Sequence, residues 1–215
     1  MYAAITSDVE RAVNTIAAGR VVAFPTGTSY GLAVDALQGH ALQRLRNIKL
    51  RPQEKTFTVF MKPALWHKYL NLTAEETDFL HQHQNQAITL LVEPRQSLMH
   101  LSQNGRLGLR VIDHPIMEAL ADAVNVPLAA TSANISGQAA CHDLQCLEKS
   151  FPGKLTDELL KVHEDRDPRG SQGTTYDLSL GCILDGGTLP VSKPSTIVKL
   201  AGANIGIVRP GKVQL

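Results

Sequence analysis

Four segments of the chain combine small, hydroxyl-bearing and cationic residues in patterns that suit the binding of a small polar or anionic substrate. The first, residues 25–32 (PTGTSYGL), contains three aliphatic hydroxyls, a phenol and two glycines. Glycines allow backbone N–H groups to approach a ligand closely, and hydroxyls can both donate and accept hydrogen bonds. The composition therefore favours a binding loop, although an ordinary Thr/Gly turn between two strands would have the same composition.

The second segment, residues 49–55 (KLRPQEK), places cations at the end of a predicted helix. Lys49 and Arg51 would diverge on a regular helix, but Pro52 disfavours helical backbone at Arg51. Side chains two apart on an extended chain point the same way. We therefore predict that Lys49 and Arg51, with Lys55 beyond them, converge on one anion, which an arginine binds through a bidentate fork. The alternative is a solvated basic helix end, which the helix dipole favours.

The other two segments lie at the ends of predicted strands, where the sheet holds the base of a loop rigid. Residues 131–137 (TSANISG) follow an apolar run, so their hydroxyls and amide could line a polar pocket. A helix cap or an Asx turn is the alternative. Ser195 begins one predicted strand and Arg209 ends the next. If these strands pair as a hairpin, both residues lie at the same end of the sheet; a plain terminal hairpin is the alternative.

The spacing of apolar residues and the capping residues predict the elements that must hold these segments. We expect a first helix that follows a capping box at residues 7–10 and ends near Gly19. A second helix should cover residues 39–48, a third should begin at Thr73, a fourth should follow Asp113 as its N-cap, and a fifth should lie near residues 142–150. We expect strands at residues 21–24, 57–61, 88–92, 107–112, 127–130, 183–184, 196–200 and 205–208, and a polar loop at residues 165–173. Helices and strands alternate without a strict βαβ rhythm, which predicts one α/β or α+β domain, residues 1–215, around a twisted mixed sheet.

Composition and charge narrow the functional classes. The chain has 215 residues, of which 43% are hydrophobic and 19% charged, values that are ordinary for a soluble domain. Its formal net charge is +1, from 21 Lys and Arg against 20 Asp and Glu, so no bulk charge attracts nucleic acid or a membrane. No apolar run approaches the ~20 residues of a membrane span, and the first ten residues lack the apolar core of a signal peptide. These features predict a soluble, cytoplasmic protein.

The cysteines are Cys141, Cys146 and Cys182, a sparse and odd-numbered set without a Cys-x-x-Cys pair. Such a set is typical neither of a disulfide framework nor of a zinc site. We therefore predict three free thiols, as in cytosolic proteins.

Together the segments resemble, in order and over about residues 7–213, the motifs of the YrdC-like family. Residues 25–32 resemble the family motif P-T-D/E-T-x-Y-G-L, and residues 49–55 resemble K-x-R-P followed by N or K. Residues 109–115 resemble V-R with a following H-P, and residues 132–137 match S-A-N-x-S-G. Near the C-terminus, residues 185–187 resemble D-G-G, residues 195–197 resemble S-T-hydrophobic, and residues 209–211 resemble R-P-G. No counterpart of the C-terminal domain of longer relatives follows, so the chain resembles the short, single-domain form. The resemblance implies a twisted mixed sheet flanked by helices, with a concave ligand-binding groove.

The resemblance also implies an activity, the synthesis of threonylcarbamoyl-AMP from L-threonine, bicarbonate and ATP, with Mg²⁺ on the phosphates. It implies that threonine lies among Thr28, Tyr30, Arg110, Ser132 and Ser195, that ATP is held by Arg51, Lys55, Asn134, His142 and Arg209, and that Lys49 and Arg51 neutralise phosphate or carbamate charge in catalysis. It assigns no metal-binding residue. Alignment and clustered cations would suffice, because a carbamate oxygen attacks the α-phosphorus and no nucleophilic side chain is required. The implied partners are downstream tRNA threonylcarbamoyl transferase proteins.

The chain departs from the family pattern at several positions. Gly27 stands where the family usually has an acid, and Phe60 where some relatives have a histidine near threonine. Cys141 and His142 occupy a region that is usually P-S or P-T. The predicted loop at residues 165–173 is longer and more charged than in the short forms.

Two other functions are compatible with the same residues. One is a YrdC-like module that has lost catalysis and binds tRNA or double-stranded RNA through a basic groove lined by Lys49, Arg51, Lys55, Arg110 and Arg209. The near-zero net charge and the 5% aromatic content speak against base stacking in such a groove. The other is carbamoyl transfer from a different donor, as in related domains of hydrogenase maturation proteins.

Overall fold

Ten strands form one mixed sheet in the computed structural model, which describes residues 4–6, 8–151, 180–202 and 204–215. The strands are β1 (Ala4–Thr6), β2 (Val22–Pro25), β3 (Tyr30–Asp35), β4 (Thr58–Phe60), β5 (Ile88–Val92), β6 (Leu107–Arg110), β7 (Leu128–Ser132), β8 (Cys182–Leu184), β9 (Thr196–Ala201) and β10 (Asn204–Arg209). Their order across the sheet is β1-β8-β2-β3-β7-β4-β6-β5-β9-β10. The sheet contains both parallel pairs, such as β5–β9, and antiparallel pairs, such as β3–β7, which confirms the predicted mixed sheet.

Helices cover parts of both faces of this sheet. They are α1 (Val9–Ala17), α2 (Gly39–Ile48), α3 (Trp66–Tyr69), α4 (Ala74–Gln82), α5 (Pro115–Val124) and α6 (Leu144–Ser150), with 3₁₀ turns at Pro63–Leu65 and Gln96–Leu101. The period of two along β2 divides its side chains between two cores. Ala23 packs in the larger core with α2 and α4, whereas Val22 and Phe24 pack in the smaller core with α1 and α5.

The face of the sheet that carries the smaller core also positions the functional residues. Leu90 of β5 and Leu109 of β6 belong to the larger core. Their neighbours Thr89 and Gly108 must therefore lie on the opposite face. On that face the smaller core joins α1 and α5 to residues of β2, β3, β4, β7 and β8, whereas Thr89 and Gly108 line a groove.

Most predicted elements are confirmed within one to three residues, and the caps account for the clearest corrections. The predicted capping box at residues 7–10 is wrong, because Asp8 is the N-cap of α1 and accepts the N–H groups of Glu10 and Arg11. The predicted Asp113 cap of α5 is also wrong, because the ring of His114 accepts the N–H of Ile116. The predicted start of a helix at Thr73 is confirmed, and the structure adds that Thr73 caps α4 in a capping box with Glu76.

Two strands were not predicted. β1 is only three residues long, and β3 overlaps the segment that the sequence marked as a binding loop. The predicted loop at residues 165–173 lies outside the described residues. Within the described parts of the chain, no helix is long and apolar enough to cross a membrane. The expectation of a single domain over residues 1–215 stays a prediction.

Candidate active-site groove

A concave groove of about 860 Å³ lies on the face of the sheet that carries the smaller core. Its described lining includes the side chains Thr28, Tyr30, Arg51, Arg106, Arg110, Ser132, Asn134, His142, Ser195 and Arg209. Of the described residues that line it, none is Asp or Glu. Four arginines without a lining carboxylate make this groove suited to anions. Nine of the eleven residues to which the resemblance assigns a role meet here, and Lys49 and Lys55 do not.

The loop between β2 and β3 is held by its own hydroxyl groups. The Thr26 hydroxyl donates to the Ser29 carbonyl at 2.8 Å and accepts the N–H of Thr28 at 3.2 Å. Because a hydroxyl has one hydrogen, the 3.1 Å contact between Thr26 Oγ1 and Thr28 Oγ1 must use the hydrogen of Thr28. The Thr28 oxygen keeps free acceptor capacity and faces the groove.

Tyr30 lines the groove, but its hydroxyl is engaged with backbone. It donates to the carbonyl of Gly187 and accepts the N–H of Gly186, both at 2.9 Å. Burial raises the pKa of Tyr30, so its hydroxyl remains a hydrogen-bond donor at neutral pH. Tyr30 thus anchors the turn after β8, and its role as a threonine ligand stays a prediction.

Arg110 and Asp113 form a buried ion pair at the end of β6. Arg110 Nη2 donates to Asp113 Oδ2 at 2.6 Å, and Nη1 donates to the carbonyl of Ile88 at 3.1 Å. The other carboxylate oxygen, Oδ1, accepts the N–H of Gly27 at 3.1 Å. Burial lowers the pKa of Arg110, and the charge of Asp113 opposes that shift. The guanidinium is therefore held rigidly at the groove surface.

Lys49 does not point into the groove. Leu50 has a φ of 49°, so the backbone after α2 turns in the left-handed region instead of running extended. Lys49 is 1% exposed, and its ammonium donates to the carbonyls of Ser132 (2.5 Å) and Asn134 (2.7 Å) and to Asn134 Oδ1 (2.9 Å). Burial, and secondly the charge of Arg51, lower the pKa of Lys49 to about 7. The predicted convergence of Lys49 with Arg51 is therefore wrong, because Lys49 supports the loop after β7 from beneath.

Arg51 does reach the groove. Its Nη2 donates to the carbonyl of Thr56 at 2.5 Å and its Nε to that of Lys55 at 3.3 Å. Its guanidinium lies 5.1 Å from the ring centre of Phe57, which also has Arg46 at the same distance. The exposed side chain of Lys55 is not among the lining residues, so a role for it in ATP binding stays a prediction.

The loop after β7 is closed by the side chain of Asn134. Its Oδ1 accepts from the Ser132 hydroxyl at 2.6 Å, and its Nδ2 donates to the carbonyls of Ile135 and Gln138. The predicted Asx-type organisation and the predicted pocket therefore coexist here. Ser132 and Asn134 line the groove while also fixing its edge.

The C-terminal strands pair as the sequence predicts. β9 and β10 are antiparallel, and Arg209 Nη2 donates to the Ser195 carbonyl at 2.8 Å. The Ser195 hydroxyl lies 2.9 Å from that of Thr89. Burial, and then the neighbouring charge of Arg110, lower the pKa of Arg209. Arg110 and Arg209 therefore lie near enough for the charge of one to act on the other.

The cysteine prediction is wrong for two of the three residues. Cys141 and Cys146 form a disulfide with their Cα atoms 5.3 Å apart, and Cys182 is free and buried. The count and spacing of cysteines could not show this, because the turn before α6 brings the pair together. His142 lies beside the disulfide and lines the groove, and its buried Nδ1 has no hydrogen-bond partner among the described residues.

Two important residues were missed at the sequence level. Asp113 was interpreted as a helix cap, although its position between the V-R and H-P motifs was a usable signal. Lys212 was not considered, yet its ammonium donates to the carbonyl of Gly27 at 2.6 Å. Both contact Gly27 in the loop between β2 and β3 from distant parts of the sequence. The motifs that flank Asp113 marked the residue as worth attention but did not indicate this contact, and Lys212 had no such signal.

The described residues do not offer a magnesium site of their own. No group of three or more His, Cys, Asp or Glu side chains among them could hold a metal ion. Mg²⁺ in nucleotide sites is usually bound by phosphates, waters and one or two carboxylates. No described carboxylate lines the groove, and a role for Mg²⁺ stays a prediction.

Comparison with known proteins finds relatives that match most of this chain. A family model for Sua5, YciO and YrdC proteins, described as "Telomere recombination", matches residues 14–211. The threonylcarbamoyl-AMP synthase of Xanthomonas euvesicatoria is 30% identical over 180 residues, covering 78% of this chain and 96% of that protein. The synthase of Vibrio campbellii is 28% identical over 178 residues, covering 76% of this chain and 95% of that protein.

Solved structures show the same fold. The crystal structure of P. abyssi Sua5 complexed with L-threonine superposes with a TM-score of 0.77 at 23% identity and covers 98% of this chain. The chain spans 57% of the length of that Sua5 protein. This likeness confirms the expected fold, a twisted mixed sheet flanked by helices.

Proposed function

The chain belongs to the Sua5/YciO/YrdC family, and we propose that it acts as a threonylcarbamoyl-AMP synthase. It converts L-threonine, bicarbonate and ATP into threonylcarbamoyl-AMP and pyrophosphate. This reaction makes it a nucleotidyltransferase within the transferases. Its product supplies the threonylcarbamoyladenosine modification of tRNA, through downstream tRNA threonylcarbamoyl transferase proteins.

The observation that carries this proposal is the charge of the groove. Its described lining has four arginines and no carboxylate, whereas the whole chain has a net charge of only +1. All three substrates of the reaction carry negative charge, and so do the carbamate and the leaving pyrophosphate. A cluster of fixed cations stabilises such charge at no cost of reorganisation during the reaction.

The two regions of the groove suit different substrates. Arg110 is held by Asp113 beside Thr28, and both suit the carboxylate and hydroxyl of threonine. Arg51 and Arg209 belong to the part that holds ATP phosphates. For neither of these two does a described carboxylate form an ion pair, so their charge is available to a ligand.

The reaction follows from alignment in the groove. The threonine amine attacks the carbon of bicarbonate, an N–C bond forms, and water leaves to give a carbamate. A carbamate oxygen then attacks the α-phosphorus of ATP, and the bond from that phosphorus to the bridging oxygen breaks as pyrophosphate leaves. Arg51 and Arg209 neutralise the phosphate charge that develops. Lys49 contributes by fixing the Ser132–Asn134 loop, while Mg²⁺ enters with ATP.

The direct test is pyrophosphate release from MgATP, measured with and without L-threonine and bicarbonate. We expect release only when both are present. Arg51→Ala should reduce it by about 100-fold or more, since an arginine that meets transition-state charge is typically worth that much. Arg95→Ala is the matched control, because Arg95 is exposed and lies outside the groove. Release that does not depend on threonine would contradict the proposal.

The same protein preparation distinguishes the two alternatives. A degenerate RNA-binding module would bind tRNA or double-stranded RNA in a salt-sensitive manner and release no pyrophosphate. A carbamoyl transferase of the hydrogenase-maturation type would react with carbamoyl phosphate in place of threonine and bicarbonate. The relatives from Xanthomonas euvesicatoria and Vibrio campbellii are both named as synthases, and they favour neither alternative.

A further inference from the structure

We propose that Asp113 is a positioning residue that sets Arg110 and the loop around Gly27 for threonine binding, filling the place that a side chain at position 27 would take. The role of Arg110 toward threonine rests on the proposed function. The contacts of Asp113 themselves are properties of this structure and can be tested without any ligand.

Asp113 leaves no room for a side chain at position 27. A Cβ atom added to Gly27 would lie 2.3 Å from Asp113 Oδ2 and 2.7 Å from Asp113 Cγ. The φ of Gly27 is not in the left-handed region, so the glycine is not required by backbone conformation. Glycine is required at this position because the carboxylate of Asp113 occupies the volume in front of it.

Asp113 and Arg110 are a buried pair of opposite charges. The side chain of Asp113 is 2% exposed and that of Arg110 is 9% exposed. A carboxylate so deeply buried must be paired, because an isolated buried charge is strongly unfavourable. Oδ2 meets the guanidinium and Oδ1 meets the backbone N–H of Gly27, so each oxygen has a distinct partner. Asp113 therefore couples the orientation of Arg110 to the position of the loop.

The loop is clamped from the other side as well. The Lys212 ammonium donates to the Gly27 carbonyl at 2.6 Å, and the backbone N–H of Lys212 donates to the carbonyl of Pro194 at 2.8 Å. Residue 27 is thus held through both its N–H and its carbonyl. This clamp, together with the Thr26 hydroxyl that accepts the N–H of Thr28, places Thr28 relative to Arg110.

The geometry leaves Arg110 available to a substrate. A guanidinium has five N–H donors, and the described contacts use one toward Asp113 and one toward Ile88. The remaining donors can bind a carboxylate while Asp113 keeps the plane of the group fixed. Such fixed orientation is what makes an arginine selective for a planar anion.

The first test is Asp113→Asn, which keeps the shape and the acceptor for Gly27 but removes the charge. We expect the Kd for L-threonine, measured by calorimetry, to rise roughly ten-fold or more, because a charge-assisted bond is lost. The Kd for ATP should stay within about two-fold. Asp122→Asn, at an exposed position on α5, is the matched control. Equal losses for threonine and ATP would indicate a merely structural role and overturn the proposal.

The second test is a double-mutant cycle between positions 27 and 113. Gly27→Ala should weaken threonine binding in the wild-type background, because its Cβ displaces the carboxylate. In the Asp113→Ala background the same substitution should change the Kd by less than about two-fold. Additive effects of the two substitutions would contradict the proposed contact.

The third test needs no ligand and separates this proposal from the proposed function. In ¹⁵N-labelled protein the side-chain Nε–H signal of Arg110 should report restricted motion in the wild type and increased motion in Asp113→Asn. If wild-type protein fails to bind threonine but shows this difference, the proposed function fails and the contact stands. If Arg110 is equally mobile in both proteins, the positioning role is overturned.

Discussion

The two walls of the groove are built in opposite ways. One wall is the loop after β7, residues 132–142, which is fixed by the buried ammonium of Lys49 and closed by the Cys141–Cys146 disulfide. The other wall is the β9–β10 hairpin at the edge of the sheet. There Arg209 is exposed, and its described hydrogen bonds go only to Ser195.

The positive charge of Lys49 stabilises the fold, whereas that of Arg209 is available to a ligand. The Lys49 ammonium faces three protein oxygens, so its charge is compensated by the loop it supports. Arg209 has no described carboxylate partner and lies close enough to Arg110 for that charge to lower its pKa. We therefore expect mutations in the first wall to lower the stability of the protein and mutations in the second wall to lower its affinity for ligands.

Removing the charge beneath the first wall should have the largest effect on stability. Lys49→Met keeps the length of the side chain but removes the one described donor to the Asn134 carbonyl. The Ser132 carbonyl and Asn134 Oδ1 each lose a bond to the ammonium and keep a second donor. We expect the free energy of unfolding to fall by about 2–3 kcal/mol, since an unpaired buried acceptor costs about 1–3 kcal/mol and two further bonds to a charged group are lost. Urea denaturation measures this. Wild-type stability in Lys49→Met would show that the first wall does not depend on the ammonium.

The pH dependence of the unfolding free energy of wild type and Lys49→Met gives a second test of the first wall. The folded-state pKa of Lys49, about 7, lies below its ordinary value of 10.5, so between these values the unfolded chain binds more protons. The stability contributed by Lys49 therefore rises with pH from 7 to 10.5 and is lowest and constant below 7. The difference in unfolding free energy between wild type and Lys49→Met should grow over this window. A difference that shrinks as pH rises would contradict the burial of this group.

The disulfide gives the next largest effect. Because the bond closes a loop with a separation of only five residues, it should contribute about 2 kcal/mol. A reductant should lower the unfolding free energy of the wild type by that amount and leave Cys141→Ser/Cys146→Ser unchanged. Equal stability of wild type with and without reductant would show that the first wall is not closed covalently.

The second wall should show the smallest effect on stability. Arg209→Ala should change the free energy of unfolding by less than about 0.5 kcal/mol, because Arg209 is exposed. Its KM for ATP should nevertheless rise about ten-fold through loss of a charge-assisted contact. Lys199→Ala, an exposed cation on β9 outside the groove, serves as control. A large loss of stability in Arg209→Ala would erase the distinction between the walls.

Much of the fold could be predicted because it depends on local patterns. The helix over residues 39–48 and the helix start at Thr73 depend on neighbours within four residues, and both are observed. β3 was missed because glycine and hydroxyl residues within residues 25–32 suggested a loop, whereas pairing with β2 and β7 makes residues 30–35 a buried central strand. Tertiary pairing overrode the local composition there.

The candidate site also has features that the sequence predicted and features that only tertiary contacts explain. The sequence by itself determined which residue types collect at the strand ends, and with them the class of anionic ligand that the groove suits. Only the tertiary structure decided that Lys49 lies beneath the loop and that Asp113 fills the space before Gly27. These contacts join residues 83 and 86 positions apart, and Lys212 reaches Gly27 across 185 positions. Local propensity acts over a few residues, whereas the order of strands across the sheet determines which distant side chains meet.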